Sequence, residues 1–216
     1  MNKERKINLS VAISLLAAFV LWTVLVKFVD VQAIGPNNSS VGFASLNGWF
    51  HELTGENMML YDITDWLGLL PILTAGCFGI LGLCQLIKRK SLLKVDRSII
   101  ALGIFYVAVI GAFIFFEICV INYRPLLIEG KLEASYPSST TMLVMSVMPT
   151  AAMQLYERIK NKNLRIVAII VIVLFTAFMV IARILSGVHW ITDIIGGAII
   201  SYALVLIYYW IFLKNS

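Results

Sequence analysis

Six apolar runs alternate with short polar segments, at about Ile7–Val29, Trp66–Ile87, Ile99–Ile121, Met142–Tyr156, Ile166–Leu185 and Trp190–Leu213. A helix rises about 1.5 Å per residue, so about 20 apolar residues cross the roughly 30 Å hydrocarbon core of a bilayer. Each run therefore predicts a membrane-spanning helix, the fourth needing Ser138–Thr141 to complete its span. The first run follows Met1–Lys6 as a secretory signal would, and Val31-Gln32-Ala33 loosely fits a cleavage site. Its apolar stretch is too long for a signal, and it reads as a retained first helix.

The polar segments are sorted by charge. Lys3, Arg5 and Lys6 precede the first run, and Lys88, Arg89, Lys90, Lys94 and Arg97 separate the second from the third. Arg158, Lys160, Lys162 and Arg165 separate the fourth from the fifth, and Lys214 follows the last. These are most of the 17 basic residues. All fall on one side of a six-span chain, so the positive-inside rule places both termini in the cytoplasm. The other side receives Asp30–Asp65, Asn122–Pro137 and the tight Ser186-Gly187-Val188 link. In the first of these, Gly35-Pro36-Asn37-Asn38 signals a turn. Val41–Leu53 then places Phe43, Leu46, Trp49, Phe50 and Leu53 at helical spacing, predicting a short helix at the outer interface anchored by Trp49.

Composition agrees with an all-α, polytopic membrane protein forming one domain over residues 1–216. Hydrophobic residues make up 60% and charged residues 13%, about half the charged share of a soluble domain, and the mean hydropathy is +0.91. The net charge of +5 does not point to nucleic acid, because the basic residues cluster between apolar runs, where they meet anionic lipid. Cys77, Cys84 and Cys119 lie inside apolar runs with no His or Cys at metal-ligand spacing, and are expected to be buried thiols.

Ionisable side chains inside a bilayer cost about 2.5–3.5 kcal/mol each even on the lenient scale, and usually carry function. Glu117, Arg183 and Asp193 fall within predicted spans, and Arg124 and His189 at span ends, all on the outer half of the last four helices. His189 and Asp193 are four residues apart and share a helix face. The carboxylate can accept from one imidazole nitrogen and leave the other free as a nucleophile, although a capping histidine paired with an acid has the same spacing. Arg183, six residues before His189, and Arg124, beside helix-ending Pro125, can clamp a tetrahedral anion between two guanidiniums. Snorkelling to headgroups also suits Arg124 but not Arg183, which follows sixteen apolar residues. Pro137-Ser138-Ser139-Thr140 opens the fourth helix, as an ordinary N-cap or as an anion cradle of hydroxyls and free N–H groups.

These residues resemble the phosphatidic acid phosphatase type 2 superfamily of membrane lipid phosphatases, related to vanadium haloperoxidases. Its motifs are Lys-x6-Arg-Pro, Pro-Ser-Gly-His and Ser-Arg-x5-His-x3-Asp. The third reads here from Ala182-Arg183 through His189 to Asp193, with Ala182 in place of serine. The first survives as Arg124-Pro125 with Glu117 at the lysine position, and the second as Pro137-Ser138 with Ser139 for glycine and Thr140 for histidine. The resemblance spans about residues 65–210. It implies a phosphohistidine formed on His189 and oriented by Asp193, phosphate bound by Arg183, and inhibition by vanadate; Arg124, Ser138, Ser139 and Thr140 are the further phosphate-binding candidates, and no metal or cofactor is expected, since arginines neutralise the phosphate and no carboxylate cluster offers oxygen ligands.

Thr140 is a weak acid for protonating a leaving group. A lipid diphosphate, which expels a weakly basic lipid monophosphate, is therefore the better expected substrate, and a polyprenyl diphosphate the favoured one, hydrolysed outside the cell membrane. Glu129, Glu133 and Tyr136 are alternative acids in the outer connection. Glu117 is expected to pair with Arg124 or Arg183, or to be held protonated. A fold kept as a lipid-phosphate binder without turnover is the alternative of a different class. A transporter is disfavoured, since the two halves of the chain lack half-helix symmetry.

Overall fold

The computed structural model describes residues 3–212, so Lys214 and the end of the last predicted run, Leu213, lie outside the described residues. Among those described, the chain is helical and contains no strand. The helices are α1 (Lys3–Phe28), α2 (Ala44–Thr54), α3 (Met58–Leu67), α4 (Leu69–Arg89), α5 (Arg97–Ile118), α6 (Ser139–Arg158), α7 (Lys162–Leu185) and α8 (Ile191–Phe212). Five segments are long and apolar enough to cross a membrane: Glu4–Phe28, Met58–Arg89 (α3 with α4), Arg97–Ile118, Lys162–Leu185 and Ile191–Phe212. This is a multi-pass membrane protein.

The fourth predicted run is α6. It has 20 residues and so reaches about 30 Å, but it is less apolar than the other five. The reason is its place in the bundle. Packed against α4, α5, α7 and α8, it buries Ser146, Thr150 and Gln154, and the last two find partners in neighbouring helices. The Gln154 amide donates to the Tyr208 hydroxyl at 2.6 Å, and Thr150 lies 3.3 Å from the Tyr106 hydroxyl. The other central helix is α8, with α1 packed along its length. In its most apolar stretch 44% is buried, against 11% in α7.

Lipid takes the place of core for the remaining surfaces. Ile80, Ile104, Val107 and Leu174 are largely exposed, as a hydrocarbon solvent allows. The same physics corrects the expectation for the cysteines: Cys77, Cys84 and Cys119 are exposed. An apolar run in a membrane protein faces lipid as readily as protein.

The connections sort into two ends. At one, Asp96 pairs with Arg89 at 3.0 Å and Arg158 at 3.4 Å, drawing two basic connections together. At the other, the predicted turn forms: Asn37 and Asn38 take left-handed backbone angles, closing a bridge between Gln32 and Val41. Gly42 then passes under α1, where a Cβ would stand 1.6 Å from the Val26 carbonyl oxygen. Helix α2 forms where predicted, and its buried Asn47 bonds to Thr192 at the start of α8, donating to Oγ1 at 2.9 Å and accepting from N–H at 3.3 Å. Helix α3 occupies the end of what the sequence reads as a long connection, and meets α4 at Gly68.

Candidate functional site

The link from α7 to α8 carries the central histidine. Gly187 has φ +68, and a Cβ there would stand 2.1 Å from the Gly55 carbonyl oxygen, so this turn needs glycine on both counts. That close approach lets Asn57 donate to the Ser186 carbonyl at 3.0 Å and lays the α2–α3 link over the turn. Trp190 is pinned from beside, its indole N–H donating to the Tyr123 carbonyl at 2.7 Å and its ring 5.5 Å from that of His51.

His189 is 4% exposed. Its Nδ1 lies 3.1 Å from the Ser135 carbonyl oxygen and 3.0 Å from Ser135 Oγ, so Nδ1 carries the proton and Nε2 presents its lone pair. Nε2 is buried without a partner in the chain. Burial, and then the charges of Arg124 and Arg183, hold the ring's pKa well below its ordinary value of 6.5, against the opposing bond to the Ser135 carbonyl.

The expected direct bond between Asp193 and His189 does not form among the described residues. Asp193 Oδ2 instead accepts from the Trp190 backbone N–H at 3.0 Å and from the Ser135 hydroxyl, while Oδ1 faces the Asn122 amide at 3.4 Å. The carboxylate reaches back to the residue before its own helix, as a capping acid does at the third helical position. That geometry turns it away from the ring.

Arg183 ends α7 and is 1% exposed. Helix α3 holds it: Nη1 donates to Thr64 Oγ1 at 2.9 Å, the guanidinium lies 4.9 Å from the centre of the Tyr61 ring, and Nη2 is 3.9 Å from Asp65. Arg124 lies beyond α5, in a hairpin-like connection closed by the bridges Tyr123 to Ala134 and Ile128 to Lys131. Its Nε is 3.2 Å from Glu133 Oε2 but not aligned for a hydrogen bond, and Nε and Nη1 are buried without one, as is Arg183 Nε. The expected pairing of Glu117 with either arginine is thus corrected. Glu133 and Asp65 are the carboxylates that meet them, because the α5–α6 connection and α3 fold over the site while exposed Glu117 lies on the side of α5.

Ser138 precedes α6. Its N–H donates to the Asp193 carbonyl at 3.0 Å, and its hydroxyl is buried with no partner in the chain. Ser139 and Thr140, in the first turn, line the mouth of an apolar groove of about 520 Å³ between α4, α5 and α6, shared with Asp65, Phe113 and Met142. A second groove of about 570 Å³ continues from Ala75 and Tyr106 down α4 and α5.

Of the other expected auxiliary groups, Glu117 and Tyr136 border the site and Glu129 does not. Glu117 borders a cleft with Ser135, Ser139 and His189. Glu129 sits exposed at the hairpin tip with φ 49. Tyr136 borders the same cleft as Glu117, but its hydroxyl is turned to Thr23 Oγ1 at 2.7 Å and its ring stacks on Phe19, so that it joins α1 to the bundle. Residues the sequence reading passed over are Ser135, Asn122, Tyr61, Thr64 and Asp65. Only the last three carried a signal, polar positions three and four apart within an otherwise apolar stretch. Among the described residues no group of three or more His, Cys, Asp and Glu is placed to hold a metal ion. Two guanidiniums, a free hydroxyl and an unprotonated imidazole nitrogen can together hold a tetrahedral anion against a nucleophile.

The family model described as PAP2 superfamily matches residues 57–216, which takes in α3. A crystal structure described as that of the first transmembrane PAP2 type phosphatidylglycerolphosphate phosphatase from Bacillus subtilis is similar, with a TM-score of 0.63 and 19% sequence identity, covering 95% of this chain and 97% of that one. At that identity the likeness is one of fold. None of the curated proteins compared matches the chain.

Proposed function

The chain belongs to the PAP2 superfamily, and from that premise we propose that it is a lipid phosphatase of the plasma membrane, with six spans, α6 the least apolar, both termini in the cytoplasm and the His189 site at the outer face. The observation that carries this reading is the set of buried polar atoms without partners in the chain on Arg124, Arg183, Ser138 and His189. Buried donors left unpaired cost about 1–3 kcal/mol each, more when charged, and a phosphate oxygen satisfies them. The apolar groove that begins at Ser139 and Thr140 runs where an acyl or prenyl chain can lie alongside α4 and α5.

In this reading Nε2 of His189 attacks phosphorus while Arg124 and Arg183 neutralise the equatorial oxygens. The lipid leaves, and water then cleaves the phosphohistidine. Thr140 stands where the family motif has a histidine, and a hydroxyl is a poor general acid. A substrate whose leaving group needs little protonation suits such a site, which favours a polyprenyl diphosphate, a cell-envelope lipid carrier, over a monoester.

The test is phosphate release in detergent from a polyprenyl diphosphate, its monophosphate, phosphatidate and phosphatidylglycerolphosphate. Release from the diphosphate should fall by about 10⁴-fold in His189→Ala and should be inhibited by vanadate. Turnover of the monoesters alone would overturn the substrate assignment. Glu117 and Thr140, standing where the family motifs have a lysine and a histidine, favour a second reading as a lipid-phosphate binder. Its signature is silence across the panel with lipid binding that persists in His189→Ala.

A further inference from the structure

Asp193 cannot steer His189 by touching it, yet both meet one oxygen. Ser135 is 2% exposed, and its Oγ stands 3.0 Å from His189 Nδ1 and in a short contact with Asp193 Oδ2. Asp193 is met from all sides by donors, namely the Trp190 N–H, the Asn122 amide and Ser135. The Asn122 amide is oriented by its own oxygen, which accepts from the Gly42 N–H at 3.1 Å. Asp193 is therefore a carboxylate that accepts, the Ser135 hydroxyl donates to it, and the lone pairs of Oγ accept from Nδ1–H together with the Ser135 carbonyl. The backbone of Ser135 is fixed as well, its N–H donating to the Asn122 carbonyl at 2.9 Å.

We infer that Ser135 is a positioning residue that couples the Asp193 carboxylate to the His189 ring, so that Asp193, Ser135 and His189 act as one unit presenting Nε2 to phosphorus. Its catalytic consequence rests on the phosphatase reading; its geometry does not. In the attack, the Nε2 lone pair forms the N–P bond, and the electrons of the breaking P–O bond leave with the lipid phosphate. The ring becomes cationic and keeps its Nδ1 proton, whose bond to Ser135 Oγ strengthens as the serine dipole is held by Asp193. Water then bonds to phosphorus and both its hydrogens stay with the phosphate. The N–P pair returns to Nε2, restoring the neutral ring.

A double-mutant cycle tests the coupling, using the full chain, Ser135→Ala, Asp193→Asn and the double variant. Two readouts are followed: phosphate release, and the Nδ1–H proton shift of His189 in protein labelled with ¹⁵N-histidine, of which the chain has two. Each single variant should lower kcat about 10- to 100-fold with little change in KM, and the double should lie within about threefold of the worse single. The Nδ1–H signal should move upfield in either single variant and no further in the double. Losses that multiply, or a signal that Ser135→Ala leaves in place, would overturn the inference. Absence of turnover in the parent would sink the phosphatase reading alone, and the proton shifts would still decide the coupling. Should Ser135→Ala fail to fold, Ser135→Cys keeps a weak donor and should fall between parent and Asp193→Asn.

Discussion

A guanidinium stays charged at any pH a cell sees, so burying two of them near one imidazole sets that imidazole's proton affinity. Burial and both charges oppose protonation of His189, which therefore stays neutral down to pH values well below 6.5. Activity that depends on the free Nε2 lone pair is present above the folded pKa and lost as pH falls through it. The acid limb of kcat/KM should accordingly lie below pH 6.5 and move toward it in Arg124→Gln, as a pH–rate profile would reveal; a limb above 6.5 would contradict the assignment. Stability follows the same sign, since below pH 6.5 the unfolded chain binds a proton that the folded site refuses. At Gly187 the constraint is steric. Ala at φ +68, with its Cβ 2.1 Å from the Gly55 carbonyl oxygen, should cost about 2–4 kcal/mol, seen as a fall of several degrees in the thermal midpoint in detergent.

Among the elements, α3 and α6 differ most from their sequence reading, for related physical reasons. Helix α3 carries Tyr61, Thr64 and Asp65 on the face that meets Arg183, and those polar positions make it look like loop until Arg183 is in place. Helix α6 is polar for its length because it lies among other helices, where Thr150 and Gln154 find partners. Thr64→Val leaves the buried Arg183 Nη1 without its acceptor, so it should lower kcat/KM about 10-fold and lower the thermal midpoint as well, and Thr64→Ser, which keeps the hydroxyl, should restore both. The grooves along α4 and α5 meet at Ala75 and Tyr106. Ala75→Trp should fill the junction and reduce kcat/KM for a long-chain lipid by about 10-fold or more while sparing a short, water-soluble analogue; equal losses on both would place the lipid chain elsewhere.

At the scale of the whole molecule, the predicted basic connections gather at one end through Asp96, and the site occupies the other. In a chain with Cys77, Cys84 and Cys119 replaced by Ala, Glu129→Cys should react with a membrane-impermeant maleimide on intact cells, and Lys162→Cys only after permeabilisation; the reverse pattern would invert the topology. Much of this architecture was legible in advance. Crossing a bilayer demands apolar runs of a set length, and charge inside a span is costly unless used, so the apolar runs and Arg183 and Asp193 stand out in the sequence by themselves, with Arg124 and His189 beside them at span ends. Pairing was not legible. Arg183 meets Thr64 across 119 residues and His189 meets Ser135 across 54, while the helical spacing that suggested a direct contact between His189 and Asp193 led instead to a helix cap. Spacing along a chain reports which side chains share a helix face, whereas the partner of a buried charge is chosen by which other helices pack there, and that is decided only when the bundle closes.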